Sequence, residues 1–365
     1  MSLLSPMADI TTAAGAVLRD DSGWQMPASY GDALAEYAAA HEQAVLFDTS
    51  HRGKVEVSGK DAPSFLHNLS SNDINNLPLG AGCETFFCTA KAKVVSHAWI
   101  FHVLLDSKRH AYWVDLAPGQ AELLIKHLDR FIIAEQVELV NRTNGFAQVH
   151  LAGPGAAAVL ARALADEIPR LEPLQHMERT FGATVHANIR RNDSLGIPGF
   201  DIVCLAELAT GLWRMLTSSG ARPAGLDAFE LLRVEAGTPI YGKDIDENRF
   251  AFDVGRTAQA ISYNKGCYLG QEPIVMARDR AGHAPRTLLG LIITDDGPVP
   301  SGSKLFRGTE EVGFTCSSID SPLMGKAVAL AYVRYGHQSP GTSVEIETPQ
   351  GRRAAAVKPL PFSKS

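Results

Sequence analysis

The residue types best suited to chemistry are concentrated in residues 265–272, which read Lys-Gly-Cys-Tyr-Leu-Gly-Gln-Glu. The Cys267 thiol lies between two glycines, and Lys265 lies two residues before it. If this stretch is extended, both side chains point the same way, so the ammonium would stabilise a reactive thiolate. Gln271 and Glu272 add an amide and a carboxylate nearby. The pattern predicts a reactive cysteine; the alternative is a turn with a small buried residue and a surface lysine.

Two other patterns are weaker candidates for sites. Residues 153–158 fit the G-x-G-x-x-A form of a dinucleotide-binding turn, but Pro154 lacks an amide N–H and no regular alternation of strand and helix surrounds it. His97 and His102 occupy one predicted strand, where positions five apart face opposite sides, and no C-x-x-C pair accompanies them. We therefore expect a helix start at 153–158 and no metal site.

The elements that must position these residues are predicted from hydrophobic periodicity and turn residues. The predicted helices cover 32–43, 206–216 and 226–236, and others begin near residues 63, 118 and 155. The predicted strands cover 54–58, 137–140 and 147–151, with a hairpin over 84–105. The first thirty residues alternate small and polar types and are predicted to be a loose lead-in.

The last part of the chain has a different pattern. Residues 288–361 contain many short apolar runs that are separated by Gly, Pro, Asp and Ser. This spacing is typical of a small all-β barrel or sandwich. The predicted fold class is therefore α+β, with a mixed body followed by a β domain.

Composition limits the classes of function. The chain has 365 residues, enough for two or three domains at roughly 150 residues each, and is 45% hydrophobic and 20% charged, as globular proteins are. Its net charge of −6 argues against direct nucleic-acid binding as the main role, and no apolar run of about 18 residues predicts a membrane span. The first fifty residues contain one basic residue, Arg19, and the five cysteines are scattered. We therefore expect a protein of the reducing cytoplasm without a targeting signal.

A family resemblance rests on several of these segments. Residues 265–272 resemble the K-G-C-[FY]-x-G-Q-E signature of the YgfZ-type proteins, a branch of the glycine-cleavage T-protein (aminomethyltransferase) family. Arg278, Gly282 and Arg286 downstream fit the same pattern. Other segments that are similar to the wider family follow in its order from about residue 30 to the end, at 47–53, 57–61, 65–73, 153–154, 232–237, 241–247, 321–325 and 357–362.

The resemblance implies a fold of three domains arranged as a ring around a central folate site, the third being a β-barrel. The first domain would be split, covering 1–52 and 144–275, and would be α+β. The second, also α+β, would be inserted as residues 53–143, and the barrel would cover 276–365.

The resemblance also implies site residues, and this chain departs from several of them. The family's catalytic Asp, near the folate nitrogen, falls on Ser96 or His97. Its pterin-binding Glu falls on Ile197, and an Arg falls on Phe229. An aliphatic side chain cannot accept hydrogen bonds from the pterin, so we expect tetrahydrofolate to bind more weakly or in a different pose. The expected cofactor contacts are Ser96, His97, Ile197, Phe229, Gln271 and Glu272, and the expected catalytic residues are Cys267 and Lys265.

Three functions are compatible with the sequence. The first is a YgfZ-like, folate-binding accessory protein that assists assembly or repair of iron–sulfur clusters in client or carrier proteins, with an indirect effect on tRNA modification. The second is a tetrahydrofolate-dependent one-carbon transferase that acts on an amine or a thioether. The third is a non-catalytic module in which the segment around Tyr268 docks a partner protein.

Overall fold

The computed structural model describes residues 2–105, 108–295 and 297–362. The strands are β1 (Leu3–Leu4), β2 (Val17–Asp21), β3 (Trp24–Ser29), β4 (Val45–Asp48), β5 (Gly53–Ser58), β6 (Gly82–Cys88), β7 (Val94–Leu105), β8 (Arg109–Leu116), β9 (Glu138–Asn141), β10 (Phe146–Ala152), β11 (His176–Phe181), β12 (Val185–Arg191), β13 (Gly199–Leu205), β14 (Arg222–Ala224), β15 (Arg286–Ile293), β16 (Lys304–Arg307), β17 (Glu310–Ser321), β18 (Lys326–Arg334), β19 (Ser343–Thr348) and β20 (Gly351–Lys358). The helices are α1 (Ala8–Ala13), α2 (Ala33–Glu42), α3 (Ala62–Leu69), α4 (Ala121–Asp129), α5 (Ala156–Leu164), α6 (Ala209–Ser218), α7 (Leu226–Glu235), α8 (Thr257–Ala260) and α9 (Gln271–Met276). Short 3-10 turns cover Thr143–Gly145, Ala206–Leu208 and Ala251–Asp253, and a π-helical turn covers Ala277–Ala281.

The chain forms two compact units. The first unit runs through Leu69 and adds Asp73–Thr85 and Ala98–Glu230. The second unit combines Ser70–Asn72, Phe86–His97 and the chain from Leu231 onward. The second unit therefore contains residues 265–272 together with Ser96 and His97, whereas Ile197 and Phe229 belong to the first.

The main sheet of the first unit has the strand order β11-β12-β13-β10-β4-β14. Its central strands β10 and β13 are antiparallel, with Val149 opposite Ile202. One face of this sheet packs against α5 and α6, and a large apolar core that includes Phe181 and Trp213 lies between them. Strand β10 is buried from Ala147 to Ala152, and the polar residues Gln148 and His150 within it are buried as well.

A further sheet has the order β6-β7-β8-β5-β9. The predicted strand over 54–58 is β5, and the predicted hairpin over 84–105 is formed by β6 and β7. Strand β5 pairs with β8 in antiparallel register, with Val57 opposite Tyr112.

The expectation of a loose N-terminal lead-in was wrong. Residues within the first thirty form α1 and a sheet of order β1-β3-β2. Met7 and Met26 are fully buried, and Trp24 packs with Met26 and Leu226. Small and polar residues separate these apolar side chains, so the sequence shows no periodic pattern. Trp24 and Met26 are buried by contact with Leu226, which lies about 200 residues further along the chain.

Helix α2 shows how well local signals can specify an element. Asp32 caps this helix, and its carboxylate accepts hydrogen bonds from the backbone N–H groups of Leu34 and Ala35. This is the side chain preferred at such a position, because it satisfies amides that have no partner within the helix. The prediction of a helix over 32–43 is confirmed within one residue at each end.

The second unit contains a closed barrel of strands in the order β15-β18-β17-β16-β19-β20. Leu291 lies opposite Ala329 on one side and Val357 on the other, so β15 closes the barrel. Alternate residues such as Leu305 and Ile346 fill its interior. The structure confirms the predicted α+β class with a C-terminal β-barrel.

Candidate functional site

Residues 265–272 follow α8 in the second unit and run into the first turn of α9, and we call them the thiol loop. Cys267 is exposed at this loop, whereas the neighbouring Tyr268 is buried. Gly270 has a φ of +85°, and a Cβ atom there would lie 2.6 Å from the carbonyl oxygen of Thr89 and 3.1 Å from the Cβ of Cys88. Only glycine fits this turn without displacing its neighbours. The loop is therefore packed at its end while it presents its thiol to solvent.

Lys265 is buried, and its ammonium group lies against the backbone. It donates hydrogen bonds to the carbonyl oxygens of Ser70 and Asn72, both at 2.7 Å. It also lies over the ring of Tyr268, 4.8 Å from the ring centroid. Two of the three N–H groups of the ammonium are thus used to attach the thiol loop to residues 70–72.

Residues 70–72 are themselves fixed by Ser71. Its backbone N–H donates to the carbonyl oxygen of Phe86, and its hydroxyl accepts from the backbone N–H of Phe86 at 2.8 Å. The same hydroxyl donates to the carbonyl oxygen of Ala260 at 2.6 Å, and Ser262 N–H donates to the Ser71 carbonyl oxygen. Lys265 therefore holds the thiol loop to a segment that is hydrogen-bonded on several sides.

Ser96 and His97 occupy adjacent positions on β7 in the second unit, and both are buried. The His97 ring stacks on Phe86, with 4.9 Å between ring centroids. Phe86 is the residue that pairs with Ser71, so His97 lies on the framework that holds the thiol loop. The Ser96 hydroxyl has no hydrogen-bond partner among the described residues, although it is fully buried. A buried hydroxyl without a partner is costly and can form a hydrogen bond with a ligand.

Gln271 and Glu272 begin α9. Gln271 is half-buried, and its backbone N–H donates to the carbonyl oxygen of Tyr268. Glu272 is exposed and lies in the first turn of the helix, where a carboxylate is favourable.

Ile197 and Phe229 lie in the first unit. Both are half-buried. The Phe229 ring packs edge-on against Phe47, at 5.4 Å between ring centroids, and against His150, at 6.1 Å. His150 shares a 2.8 Å contact between its Nδ1 and the Asp201 carboxylate. Phe229 is thus part of an aromatic cluster, where the resemblance places an arginine.

The sequence reasoning missed a buried polar cluster in the first unit. Asp115 accepts hydrogen bonds from Arg52 at 2.6 Å and from Gln148 at 3.0 Å, and Arg190 lies 3.4 Å away. Burial also lowers the pKa of Lys54, whose ammonium donates to the Arg52 carbonyl oxygen, to about 7. The sequence signal for this cluster is that charged residues occupy the alternate positions 52, 54 and 56 in and next to the buried strand β5.

Within the described residues, no group of three or more His, Cys, Asp or Glu side chains could hold a metal ion. His97 and His102 lie in different units. None of the described helices is long and apolar enough to cross a bilayer.

Comparison with known proteins explains this arrangement of elements. The GCVT N-terminal domain matches residues 7–264. This chain belongs to the glycine-cleavage T-protein family. The family's C-terminal barrel domain matches residues 286–364, which include the strands of the closed barrel.

Individual T-protein relatives match from end to end. An aminomethyltransferase from Anoxybacillus flavithermus is 29% identical over 99% of this chain and 98% of its own length. One from Geobacillus kaustophilus is also 29% identical, over 98% of each chain. The crystal structure of the glycine cleavage system aminomethyltransferase T from Bartonella henselae is 25% identical, with a TM-score of 0.89, and covers 99% of this chain and 98% of that one.

The described residues can be tested against tetrahydrofolate, the cofactor of T-protein aminomethyltransferases. In the second unit, the buried Ser96 hydroxyl has no hydrogen-bond partner among the described residues. In the first unit, the half-buried Phe229 and Ile197 offer aromatic and aliphatic surface suited to a flat ring. Each of these three side chains taken singly offers a group that a folate could contact, and none of the three carries a charge.

Proposed function

We propose that the protein is a tetrahydrofolate-dependent one-carbon transferase of the aminomethyltransferase type. The observation that carries this proposal is the match along nearly the whole length of the chain to relatives named aminomethyltransferase. The family's two domains cover residues 7–264 and 286–364. Bound tetrahydrofolate would supply the nitrogen that takes the one-carbon group, while the donor molecule takes a proton in exchange.

We propose that aromatic and apolar side chains, rather than charged ones, contact the pterin ring of the cofactor. Phe229 would offer its ring, and Ile197 its side chain, in the first unit. In the second unit, the assignments of Ser96, His97, Gln271 and Glu272 to the cofactor remain predictions from the sequence, and the Ser96 hydroxyl is buried without a partner among the described residues.

The absence of a carboxylate at positions 96 and 97 bears on the donor. A hydroxyl at Ser96 or an imidazole at His97 can form hydrogen bonds, but neither has the permanent negative charge of an Asp at neutral pH. We therefore propose a donor other than the glycine-derived one, an amine or thioether whose one-carbon group leaves without help from a carboxylate at this position.

A second function is favoured by the thiol loop. Cys267 is exposed on a loop that Lys265 and Gly270 fix at both ends. A fixed, exposed thiol suits a YgfZ-type accessory role, in which Cys267 acts on iron–sulfur client or carrier proteins and folate is a carrier or sensor. An effect on tRNA modification would then be indirect, through the client enzymes.

The test is product analysis with tetrahydrofolate and two donors, sarcosine as the amine and S-methylcysteine as the thioether. We expect methyltetrahydrofolate from the wild-type protein and from Cys267→Ala, because the methyl group of either donor keeps its oxidation state when it moves to the folate nitrogen and the proton from that nitrogen passes to the donor. Ser96→Asp and His97→Asp each restore a carboxylate, and one of them should raise turnover with sarcosine. Absence of product from every variant and donor would reject the transferase function.

The accessory function makes the opposite prediction for the thiol. Cys267→Ala would then abolish rescue of an iron–sulfur enzyme in cells that lack the protein, whether or not product forms in vitro.

We also propose a division into three domains, which cover residues 1–52 with 144–275, residues 53–143, and residues 276–365. We further propose that the protein works in the reducing cytoplasm, where its five free cysteines would stay reduced.

A further inference from the structure

A pocket lies in the second unit, beside the helix that follows the thiol loop. Its volume is about 320 Å³, at the lower end of the roughly 300–1,000 Å³ range of small-molecule sites. Its walls come from the segment around Phe252, from α8, from α9 with the π-helical turn, and from the first residues of β15. The folate assignment uses none of these residues.

The pocket has a cation that a ligand could reach. Arg278 lines it, and its guanidinium is 44% exposed and lies over the ring of Tyr263 at 4.3 Å. Its carboxylate partner is the adjacent Asp279, at 2.9 Å between Nη2 and Oδ2, and that side chain is 49% exposed. Exposed ion pairs of this kind are weak, so an incoming anion can replace Asp279.

The charge of the surrounding segment favours an anion. Residues 277–286 contain three arginines and a single acidic residue, Asp279. Arg286 at the end of this segment begins β15. A local excess of positive charge attracts anions even when the whole chain is acidic.

Flat rings form much of the remaining wall. Phe252 stacks on Phe250, with 5.1 Å between ring centroids and an angle of 7°. His283 stacks on Tyr335, at 3.4 Å and 5°. Each of these stacked rings is held in a fixed orientation by its neighbour, and Phe252 and His283 also line the pocket. Rings held in this way offer flat or edge-on contact to a planar ligand.

Two hydroxyl groups complete the lining, those of Thr257 and Thr287. We propose that this pocket binds a small planar anion, an aromatic or heteroaromatic ring that carries a carboxylate or a phosphate. The acidic group lies on Arg278, and the ring packs among Phe252, Tyr263 and His283. This inference goes beyond the proposed function and does not depend on it.

The experiment is calorimetric titration of the full-length protein with three probes: p-aminobenzoylglutamate, adenosine monophosphate and inorganic phosphate. We expect at least one of the aromatic probes to bind more tightly than phosphate, and the comparison identifies which acidic group is preferred. Arg278→Met should weaken binding by about tenfold, because it removes a charge-assisted hydrogen bond. Asp279→Asn should strengthen binding by about twofold to fivefold, because it removes the competing carboxylate.

Arg280→Met is the matched control, since it removes an exposed positive charge two residues from Arg278 and outside the pocket lining. It should change affinity by less than about twofold. Binding that Arg278→Met leaves unchanged would overturn the proposal, and so would phosphate binding as tightly as both aromatic probes.

Discussion

The ammonium group of Lys265 lies 2.7 Å from the carbonyl oxygen of Ser70, a residue 195 positions earlier in the chain. This hydrogen bond, and its counterpart to Asn72, attach the thiol loop to a segment that Ser71 holds to Phe86 and Ala260. The arrangement gives Lys265 a positioning role for the loop. Cys267 is exposed while Lys265 and Tyr268 are buried.

Replacing Lys265 tests this positioning role. Lys265→Met leaves two carbonyl oxygens without their donor, so we expect the free energy of unfolding to fall by about 1–3 kcal/mol and alkylation of Cys267 to become faster. Urea unfolding and the rate of reaction with iodoacetamide measure these two effects. Lys326→Met, at an exposed lysine of the barrel, is the control and should change neither quantity. An unchanged unfolding free energy in Lys265→Met would show that the two hydrogen bonds do not support the loop.

Cys267 itself should be unimportant for stability. Because the thiol is exposed, Cys267→Ala should change the free energy of unfolding by less than about 0.5 kcal/mol. If the accessory function is correct, the same variant loses rescue of an iron–sulfur enzyme in cells, whereas Cys83→Ala, at a half-buried cysteine of the first unit, retains it. Full rescue by Cys267→Ala would reject the accessory function and would favour the transferase function or protein docking.

The pH dependence of stability should show a contribution from His176. Burial lowers the pKa of this imidazole from 6.5 to about 4, helped by the nearby Arg190. Its Nε2 lies 3.0 Å from the His102 carbonyl oxygen and its Nδ1 lies 3.0 Å from the Asn188 amide nitrogen, so the neutral ring satisfies both. Between pH 6.5 and 4 the unfolded chain binds a proton that the folded one excludes, and stability therefore falls as the pH falls.

His176→Gln removes this titration while it keeps a donor and an acceptor at the same position. We expect the decrease in unfolding free energy between pH 6.5 and 4 to become smaller by up to about 3 kcal/mol, as measured by urea unfolding at several pH values. His186→Gln, on the exposed side of β12, serves as the control. Equal pH profiles for wild type and His176→Gln would contradict the assignment.

A buried ion pair should dominate the stability of the segment before the barrel. Arg233 and Asp244 are both fully buried, with 2.5 Å between Nη1 and Oδ2, and Asp244 also accepts from the backbone N–H groups of Ile240 and Ser317 at 3.0 Å. Arg233→Met leaves the carboxylate buried without its cation, so we expect a loss of about 3–5 kcal/mol. The double variant Arg233→Met/Asp244→Asn should recover part of this loss, and an equal loss in the double variant would argue against a charge effect.

Local signals in the sequence were sufficient to predict the elements in which those signals occur. Asp32 specified the start of α2, and the apolar runs after residue 288 specified a β domain. The strands β12 and β13 were not predicted, because Arg190, Asn188 and Asp201 interrupt their apolar pattern. Arg190 is buried with its partners Asn188 and Asp115, and Asp201 is buried with His150, relationships that periodicity does not reveal.

The candidate site was predictable in its residue types and not in its contacts. The sequence placed Lys265 and Cys267 together as neighbours, and it gave no indication that the ammonium bonds to Ser70 and Asn72. Those acceptors are backbone carbonyl groups, which every residue has, so no side chain marks them in the sequence. The buried hydroxyl of Ser96 likewise became visible only when its surroundings were known.

The most direct test of the central claim is calorimetric titration of the purified protein with tetrahydrofolate, with Cys267→Ala and Phe229→Arg titrated beside it. We predict micromolar binding by the wild-type protein, equal binding by Cys267→Ala, and an altered affinity in Phe229→Arg. Absence of detectable binding by the wild-type protein would contradict both the transferase function and a role of folate as carrier or sensor.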